Sequence, residues 1–272
     1  MTTQIQIDGE IFQNTIKILK DLISFQTESG KSNLELIDYC ELRLKNSGAS
    51  SLKTFNSSKT QANLFSTIKG ENPNGTGIVL SGHTDVVPAA PDEWTSDPYL
   101  VREKNDKLYG RGTCDMKGFI ACTLAVAPLF ASSKLKRPIH FSYTFDEETG
   151  CLGAPLVLAD LKKRNLNFSA CIIGEPTNMK AITAHKGYNE YITHFTGLSG
   201  HASNPESGVS AIEYAIRYSN KLMGLRDELK KRNSTKTSFS PSYSTLQIGK
   251  ISGGIGANVI ADQCFLEWEV RP

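Results

Sequence analysis

The stretch VLSGHTDVVP, residues 79–88, decides the fold and indicates a functional site. It begins as an apolar, strand-like run and continues into His83 and Asp85, two ionisable side chains separated by one residue. Side chains in a strand alternate between the two faces, so His83 and Asp85 would point the same way. Two polar groups that converge where a strand ends are typical of a binding site, although a surface loop could have the same residues.

Strands and helices alternate along the chain around this stretch. Some segments repeat apolar residues at helical spacing, while others are short apolar runs bounded by turn residues. This alternation is typical of an α/β sheet with helices on its faces and polar groups at its strand ends. The patterns predict helices at 12–23, 36–44, 119–130 and 153–164, and strands at 51–55, 62–68, 77–82, 138–146 and 170–175.

The pattern changes after about residue 185. A strand-like run, a long helical segment, a polar stretch and two further strands follow one another there. This order favours a smaller α+β unit, separate from the first. We therefore predict two domains, an α/β domain at 1–184 and an α+β domain at 185–272.

Composition excludes several classes of protein. Among the 272 residues, 30 Lys and Arg face 28 Asp and Glu, and the net charge of +2 favours neither nucleic acid nor an anionic membrane. No apolar run approaches the ~20 residues that span a bilayer, and the N-terminus lacks the basic and apolar parts of a signal peptide. We expect a cytoplasmic protein with reduced thiols, because the six cysteines include no C-x-x-C pair. Apolar neighbours predict that Cys122, Cys151 and Cys171 are core residues.

Acidic residues follow the apolar segments of the first domain at four places. Each place alone has an ordinary interpretation, such as a loop histidine, a turn aspartate or, for a run that begins with Asp146, a charged surface. One shared site accounts for them more simply, because an α/β sheet gathers residues from several strand ends at one edge. One histidine with several carboxylates suits zinc, or manganese or cobalt in the same geometry. The four places are His83 with Asp85, Asp115, the pair Glu147-Glu148, and Glu175.

The spacing of these residues also suits metal-assisted hydrolysis. His83 would ligate a metal ion while Asp85 binds the other imidazole nitrogen and fixes the tautomer. Adjacent carboxylates point in different directions, so one of Glu147 and Glu148 can bind metal while the other accepts a proton from water.

Longer motifs surround these residues: SGHTDVVPAAPDEWTSDPY, LYGRGTCDMKGF, FDEETGCLGA, IIGEPTN, AHKGY and GLSGHASNPESGVSAIEYA. Together, and in this order, they resemble the dinuclear-zinc amidohydrolases and exopeptidases of the M20 type, most of all the acetylornithine deacetylase branch. The resemblance implies a zinc-exopeptidase-like sheet with helices on both faces. It also implies that the second domain is an inserted dimerisation or lid domain.

The resemblance further implies a dinuclear zinc centre, in which Co²⁺ or Mn²⁺ can replace Zn²⁺, and no organic cofactor. A cis peptide bond is expected between Asp115 and Met116. The implied ligands are His83 and Glu175 on the first zinc, Asp115 bridging both ions and Glu148 on the second, with Asp85 supporting His83 and Glu147 as general base.

For the second domain, the resemblance implies a homodimer. His201 would reach the site of the partner subunit and help to stabilise the oxyanion, while Asn258, Arg271 and Lys186 would bind polar groups of the substrate. Without the resemblance, the pattern favours a loop residue for His201, a turn residue for Asn258 and a strand-edge charge for Arg271. The remaining histidines, His140, His185 and His194, are expected to be structural.

The implied reaction is hydrolysis of N2-acetyl-L-ornithine to L-ornithine and acetate, a step of arginine biosynthesis. A water that bridges the metal ions would lose its proton to Glu147 and attack the acetyl carbonyl, and Arg271 would pair with the α-carboxylate of the substrate. The same residues are compatible with a desuccinylase, an aminoacylase or a dipeptidase of the family.

The chain ends at Pro272, directly after a predicted strand. The family takes the last histidine ligand of its second zinc from a closing segment beyond that point. We therefore expect a C-terminally truncated product that binds the second metal poorly. An inactive fragment or dimerising module is the alternative, and zinc content distinguishes it from the enzyme.

Overall fold

The computed structural model describes residues 9–72, 75–232 and 237–272 and confirms the predicted mixed α/β fold. The chain divides into two compact units, Met1–Met179 and Lys180–Pro272. This division lies slightly before the predicted boundary between residues 184 and 185. None of the helices in the described ranges has the length and apolar character needed to cross a bilayer.

Most elements of the first unit lie where the apolar patterns predict them. A hairpin of two short strands at 102–104 and 107–109 is the exception, because no pattern in the sequence indicates it. The helices are α1 (Gly9–Ser24), α2 (Leu34–Asn46), α3 (Lys117–Ser132) and α4 (Gly153–Lys163), and the strands are β1 (Ser50–Phe55), β2 (Ala62–Ile68), β3 (Gly77–His83), β4 (Arg102–Lys104), β5 (Lys107–Tyr109), β6 (Ile139–Thr144) and β7 (Phe168–Ile173).

Five of these strands form one sheet in the order β1-β2-β6-β3-β7. β2 runs antiparallel to β1 and β6, whereas β3 runs parallel to both β6 and β7. The three parallel strands therefore end at the same edge of the sheet. His83 is the last residue of β3, and Glu147 and Glu175 follow the ends of β6 and β7, so this edge gathers predicted site residues.

Helices cover both faces of this sheet, as predicted. Leu64 and Phe65 are neighbours on β2 and point to opposite faces. Leu64 packs in the main core with residues of α1, α2 and α3, whereas Phe65 packs with Val157 and Leu161 of α4. Burial of one large apolar side chain contributes roughly 1.5–3 kcal/mol, so both layers stabilise the sheet that carries the site.

Two details of the predicted core are wrong. Phe12 lies in the first turn of α1 and is 58% exposed, although helical spacing predicts it on the buried face. Cys122, Cys151 and Cys171 are exposed, whereas Cys40 is buried. Apolar neighbours in the sequence do not determine which face of a helix or strand carries the thiol.

The main elements of the second unit follow the predicted order of strand, helix, strand and strand, and the structure adds two short strands that the patterns do not indicate. Helix α5 (Ala211–Lys231) is capped by Ser210, whose Oγ accepts a hydrogen bond from the Glu213 amide at 3.3 Å. Leu222 of this helix packs on Leu246 and Leu266 of the adjacent sheet. The strands are β8 (Asn189–Thr196), β9 (Gly200–His201), β10 (Thr245–Gly253), β11 (Val259–Ile260) and β12 (Gln263–Arg271).

Strand β12 is the central strand of the second unit's main sheet and runs antiparallel to β10 and β8. Strands β9 and β11 form a separate antiparallel ribbon. The ribbon adjoins the first residues of β12, because the Gly197 amide donates to the Asp262 carbonyl at 2.7 Å.

Candidate metal centre

His83, Asp115 and Glu175 form a group of potential metal ligands at the carboxyl edge of the first unit's sheet. The imidazole Nε2 of His83 lies 2.9 Å from Asp115 Oδ1 and 3.8 Å from Glu175 Oε1. One ligand atom from each of the three residues lies within 4.8 Å of the others. The structure therefore brings together three residues that the sequence assigns to one metal ion.

The orientation of His83 turns Nε2 toward the carboxylates of Asp115 and Glu175. Nδ1 donates a hydrogen bond to the main-chain carbonyl of Asp85 at 2.8 Å, whereas the Asp85 carboxylate lies 3.5 Å away. Both the main-chain carbonyl and the carboxylate of Asp85 thus lie beside Nδ1, and the carbonyl is the nearer of the two. Burial opposes protonation of the ring, but the carboxylates of Asp85, Asp115 and Glu175 outweigh it and raise the pKa of His83 to about 10.

The carboxylate of Asp85 instead holds the main chain of the neighbouring acidic pair. It accepts hydrogen bonds from the Glu147 amide at 3.0 Å, the Glu148 amide at 3.3 Å and the Ser29 hydroxyl at 2.7 Å. Burial alone would raise the pKa of Asp85, but the nearby His83 ring, the Ser29 hydroxyl and the Glu147 amide hold it below its usual range. Asp85 is therefore a buried anion that positions Glu147 and Glu148.

Asp146 has a similar supporting role. Its side chain is 5% exposed, so the charged-surface interpretation of this run of acids is wrong. Oδ1 accepts hydrogen bonds from the Gly30 amide at 2.7 Å and from Gln61 Nε2 at 2.8 Å. Asp146 also has a positive φ of 50°, which turns the chain sharply before Glu147.

Glu148 differs, because one of its carboxylate oxygens has no donor among the described residues. Its Oε1 is buried without a hydrogen-bond partner among the described residues, and burial and the Asp115 carboxylate raise its pKa. Burial and the carboxylates of Asp115 and Glu147 likewise raise the pKa of Glu175 to about 7, despite the opposing charge of His83. Crowded carboxylates, one of them with a buried oxygen that has no donor among the described residues, fit a divalent cation, which would neutralise them and bind that oxygen.

The segment that carries Asp115 has an unusual backbone. The Asp115–Met116 peptide bond is cis, as the family resemblance implies. The next residue, Lys117, is fully buried, and its Nζ donates to the main-chain carbonyls of Leu22 at 3.1 Å and Phe25 at 2.7 Å. Burial lowers the pKa of Lys117 to about 7. These contacts tie the start of α3 to the end of α1, and nothing in the local sequence indicates them.

His201 and Asn258 lie side by side in the second unit. His201 pairs with Val259 across the ribbon of β9 and β11, and the Ala202 amide donates to the Asn258 carbonyl at 3.0 Å. The His201 side chain is exposed, and its Nδ1 contacts Ser203.

Lys186 and Arg271 lie at the other end of β12 from this ribbon. Arg271 forms an ion pair with Glu269 through Nε at 2.9 Å and Nη2 at 3.2 Å, and Lys186 Nζ donates to the Tyr243 carbonyl at 2.7 Å. At about 3.3 Å per residue, the length of β12 separates Arg271 from the ribbon by roughly 25 Å. One second unit therefore does not bring Arg271 to His201.

The other histidines have surroundings typical of structural residues. His140 is buried, its Nδ1 lies 2.9 Å from Thr67 Oγ1, and its ring stacks on Phe65. His185 and His194 are exposed. In the part of the chain that the structure describes, none of the three belongs to a group of metal-type ligands.

An α/β sheet with a buried histidine and crowded acids at its carboxyl edge is an architecture typical of metal-dependent hydrolases. The sequence model of peptidase family M20/M25/M40 matches residues 79–263, so the chain belongs to this family. Peptidases and deacetylases both hydrolyse amide bonds, so the relatives named below are amide hydrolases.

Known proteins support this assignment in sequence and in fold. The acetylornithine deacetylase of Yersinia pseudotuberculosis serotype O:1b (strain IP 31758) is 41% identical over 213 residues, which cover 77% of this chain and 54% of that protein. The chain thus spans about half the length of the curated relatives it matches. The M20 family metallo-carboxypeptidase Sso-CP2 of Sulfolobus solfataricus has a similar fold, with a TM-score of 0.75, 17% identity and coverage of 97% of this chain and 71% of its own. The YXEP protein of Bacillus subtilis, a dinuclear metal-binding M20 peptidase, has a TM-score of 0.57, 18% identity and coverage of 97% and 65%.

Proposed function

We propose that this chain carries the metal centre of a deacetylase that hydrolyses N2-acetyl-L-ornithine to L-ornithine and acetate. One observation carries the proposal: His83, Asp115 and Glu175 converge beside Glu148, whose buried Oε1 has no donor among the described residues. The similarity to acetylornithine deacetylases supports the choice of substrate. The reaction would belong to arginine biosynthesis, in the cytoplasm.

The proposed ligands divide between two divalent cations. His83 and Glu175 would bind the first, Glu148 the second, and Asp115 would bridge both. Zn²⁺ is the proposed ion because one imidazole with several carboxylates suits it, and Co²⁺ or Mn²⁺ would fit the same donors. Bound metal would supply the Lewis acidity that polarises an amide carbonyl and activates water.

Glu147 is the proposed general base. The Asp85 carboxylate accepts a hydrogen bond from the Glu147 amide at 3.0 Å, and Glu147 Oε1 accepts a weak hydrogen bond from the Cys151 thiol at 3.4 Å. The carboxylate would take a proton from the attacking water as the water oxygen bonds to the acetyl carbon. It would then give this proton to the ornithine nitrogen as the C–N bond breaks, and the second proton of the water would pass from the new carboxyl group to the amine, leaving acetate and the ammonium form of ornithine.

The second unit would complete the site as part of a homodimer. His201 would donate a hydrogen bond to the oxyanion in the partner subunit's site, with Asn258 beside it. Arg271 would exchange its ion pair with Glu269 for the substrate carboxylate, and Lys186 would assist it. Roughly 25 Å of strand β12 separates His201 and Asn258 from Arg271 and Lys186. Within one chain, these two pairs of residues would therefore bind different substrate molecules.

Metal content and hydrolysis test this proposal together. Wild-type protein dialysed against Zn²⁺ should retain metal and release acetate from N2-acetyl-L-ornithine faster than from N-succinyl-diaminopimelate or dipeptides. Glu147→Gln should retain the metal but lose turnover by several orders of magnitude, whereas His83→Ala should lose the metal as well. Lys134→Ala, on an exposed surface, is the matched control.

Each contrary result refutes a defined part of the proposal. Protein that retains no zinc would refute the metal centre and favour the inactive fragment. Faster turnover of a succinylated substrate or a dipeptide would keep the mechanism and replace the substrate. Undiminished activity of Glu147→Gln would refute the assignment of the general base.

A further inference from the structure

The contacts of His201 determine which of its ring nitrogens carries the proton. Nδ1 accepts a hydrogen bond from the main-chain amide of Ser203 at 3.2 Å and lies 2.7 Å from the Ser203 hydroxyl. A main-chain amide can only donate, so Nδ1 must present its lone pair. In the neutral ring the proton therefore lies on Nε2.

We propose that Ser203 is a positioning residue that holds His201 in the Nε2–H tautomer. This inference rests on the proposed function, in which His201 donates a hydrogen bond to an oxyanion. Only a nitrogen that carries a proton can make that bond, and the amide and hydroxyl of Ser203 engage the other nitrogen. Ser203 would thereby keep His201 ready to donate without a change of tautomer during the reaction.

The backbone around His201 is fixed on both sides, so the ring contacts Ser203 from a defined position. His201 pairs with Val259 in the ribbon, and its carbonyl accepts a hydrogen bond from the Asn204 amide at 2.9 Å. A Cβ on the preceding residue, Gly200, would lie only 2.7 Å from Ser207 Oγ, which shows how closely this turn packs.

His185 provides an internal comparison. Its Nδ1 lies 2.8 Å from the main-chain carbonyl of Lys186, which can only accept, so its neutral ring must carry the proton on Nδ1. The same unit thus holds two exposed histidines in opposite tautomers. The sequence gives no sign of this difference, because it depends on whether an amide or a carbonyl faces the ring.

Heteronuclear NMR of histidine ¹⁵N shifts at pH 8 tests the tautomers directly, and a chain with five histidines gives few signals. The His201 signals, assigned by their loss in His201→Gln, should show a protonated Nε2 and an unprotonated Nδ1. The His185 signals, assigned in the same way, should show the reverse. A protonated Nδ1 in His201 would overturn the proposal whether or not the protein hydrolyses any substrate.

Two substitutions at Ser203 test the effect on turnover. Ser203→Ala removes the 2.7 Å hydroxyl contact and leaves Nδ1 with only the longer amide contact at 3.2 Å, which holds the tautomer less firmly. We therefore expect a minor population of the other His201 tautomer and a roughly fivefold lower kcat with little change in KM, about 1 kcal/mol at 1.4 kcal/mol per tenfold. Ser203→Thr retains a hydroxyl and should restore both. Wild-type tautomer and kcat in Ser203→Ala would overturn the role of the side chain. Loss of activity in Ser203→Ala with wild-type NMR shifts would show that the Ser203 hydroxyl does not act by fixing the His201 tautomer, and would overturn the proposal.

Discussion

Replacement of Asp85 tests whether one buried carboxylate holds the acidic pair of the metal centre in place. Its side chain is 2% exposed and accepts hydrogen bonds from Ser29, Glu147 and Glu148. Asp85→Ala would leave two half-buried amides without this acceptor and the Ser29 hydroxyl with only a long contact to the Val86 carbonyl, at 3.5 Å. A lost hydrogen bond to a charged group costs roughly 1.5–3 kcal/mol, and partial relaxation toward water makes about 4 kcal/mol our expectation for the sum.

Asp85→Asn removes the negative charge of the side chain but keeps its shape. The amide keeps one acceptor oxygen, which can face the Glu147 amide, and the Ser29 hydroxyl can rotate and accept from the new NH₂ group. The Glu148 amide would then meet a donor. We therefore expect a loss of about 2 kcal/mol, while Ser29→Ala, which removes one hydrogen bond, should cost about 1 kcal/mol.

The assay must report on the first unit alone. The chain has two tryptophans, Trp94 in the first unit and Trp268 in the second. In a Trp268→Phe background, urea denaturation followed by fluorescence therefore measures the first unit, and hydrogen exchange of the Glu147 and Glu148 amides reports on the loop itself. A cost below 1 kcal/mol for Asp85→Ala, or unchanged exchange of both amides, would refute the supporting role.

Three further changes have defined outcomes. Glu148→Gln replaces a buried carboxylate that has an oxygen with no donor among the described residues, so without metal the melting temperature should be unchanged or higher. Zinc binding in a titration should weaken, and a lower melting temperature would contradict this interpretation. Burial lowers the pKa of His140 below 6.5 in the folded state, so the unfolded chain binds the proton more tightly and stability falls as pH falls below 6.5. In urea denaturation at pH 7 and 5.5, His140→Asn should lose less free energy of unfolding between the two pH values than the wild type, by at most about 1.4 kcal/mol per pH unit. An equal loss in both proteins would refute this role of His140. Gly174→Ala should unfold far more readily, because a Cβ at this position would lie 1.9 Å from the Phe119 ring. A Cβ at Gly224 in α5 would have no atom within 4 Å, so Gly224→Ala should raise the free energy of unfolding by about 1 kcal/mol. Equal effects of the two substitutions in denaturation would contradict this contrast.

The sequence predicts the helices and main strands because burial itself produces the apolar pattern. Leu64 and Phe65 show its limit: both are buried on β2, but they face different helix layers. The order of the strands is also absent from the pattern, because β2 pairs with β6 across a long intervening segment. Such pairing depends on contacts that no short window of sequence contains.

The acids of the site are predictable for a related reason, since residues at the carboxyl ends of parallel strands must meet at one edge. The groups that support them are not. The Ser29 hydroxyl reaches Asp85 across 56 positions, and the Gly30 amide reaches Asp146 across 116. Asp146 stands in a run of acids that is typical of a surface, and only the fold reveals that the Gly30 amide and Gln61 enclose its carboxylate.

Hydrogen bonding separates the acids of this site into two kinds. Asp85 and Asp146 are buried, and donors from neighbouring segments satisfy them, so they stabilise the loop without any further charge. Burial and the neighbouring carboxylates raise the pKa values of Glu148 and Glu175, and a cation would relieve the repulsion between these carboxylates. Removal of a supporting acid should therefore unfold the loop, whereas removal of a ligand acid should leave the fold intact and weaken metal binding. A variant of Asp85 that binds zinc normally but is less stable, beside a Glu148 variant with the opposite behaviour, would establish this division within one site.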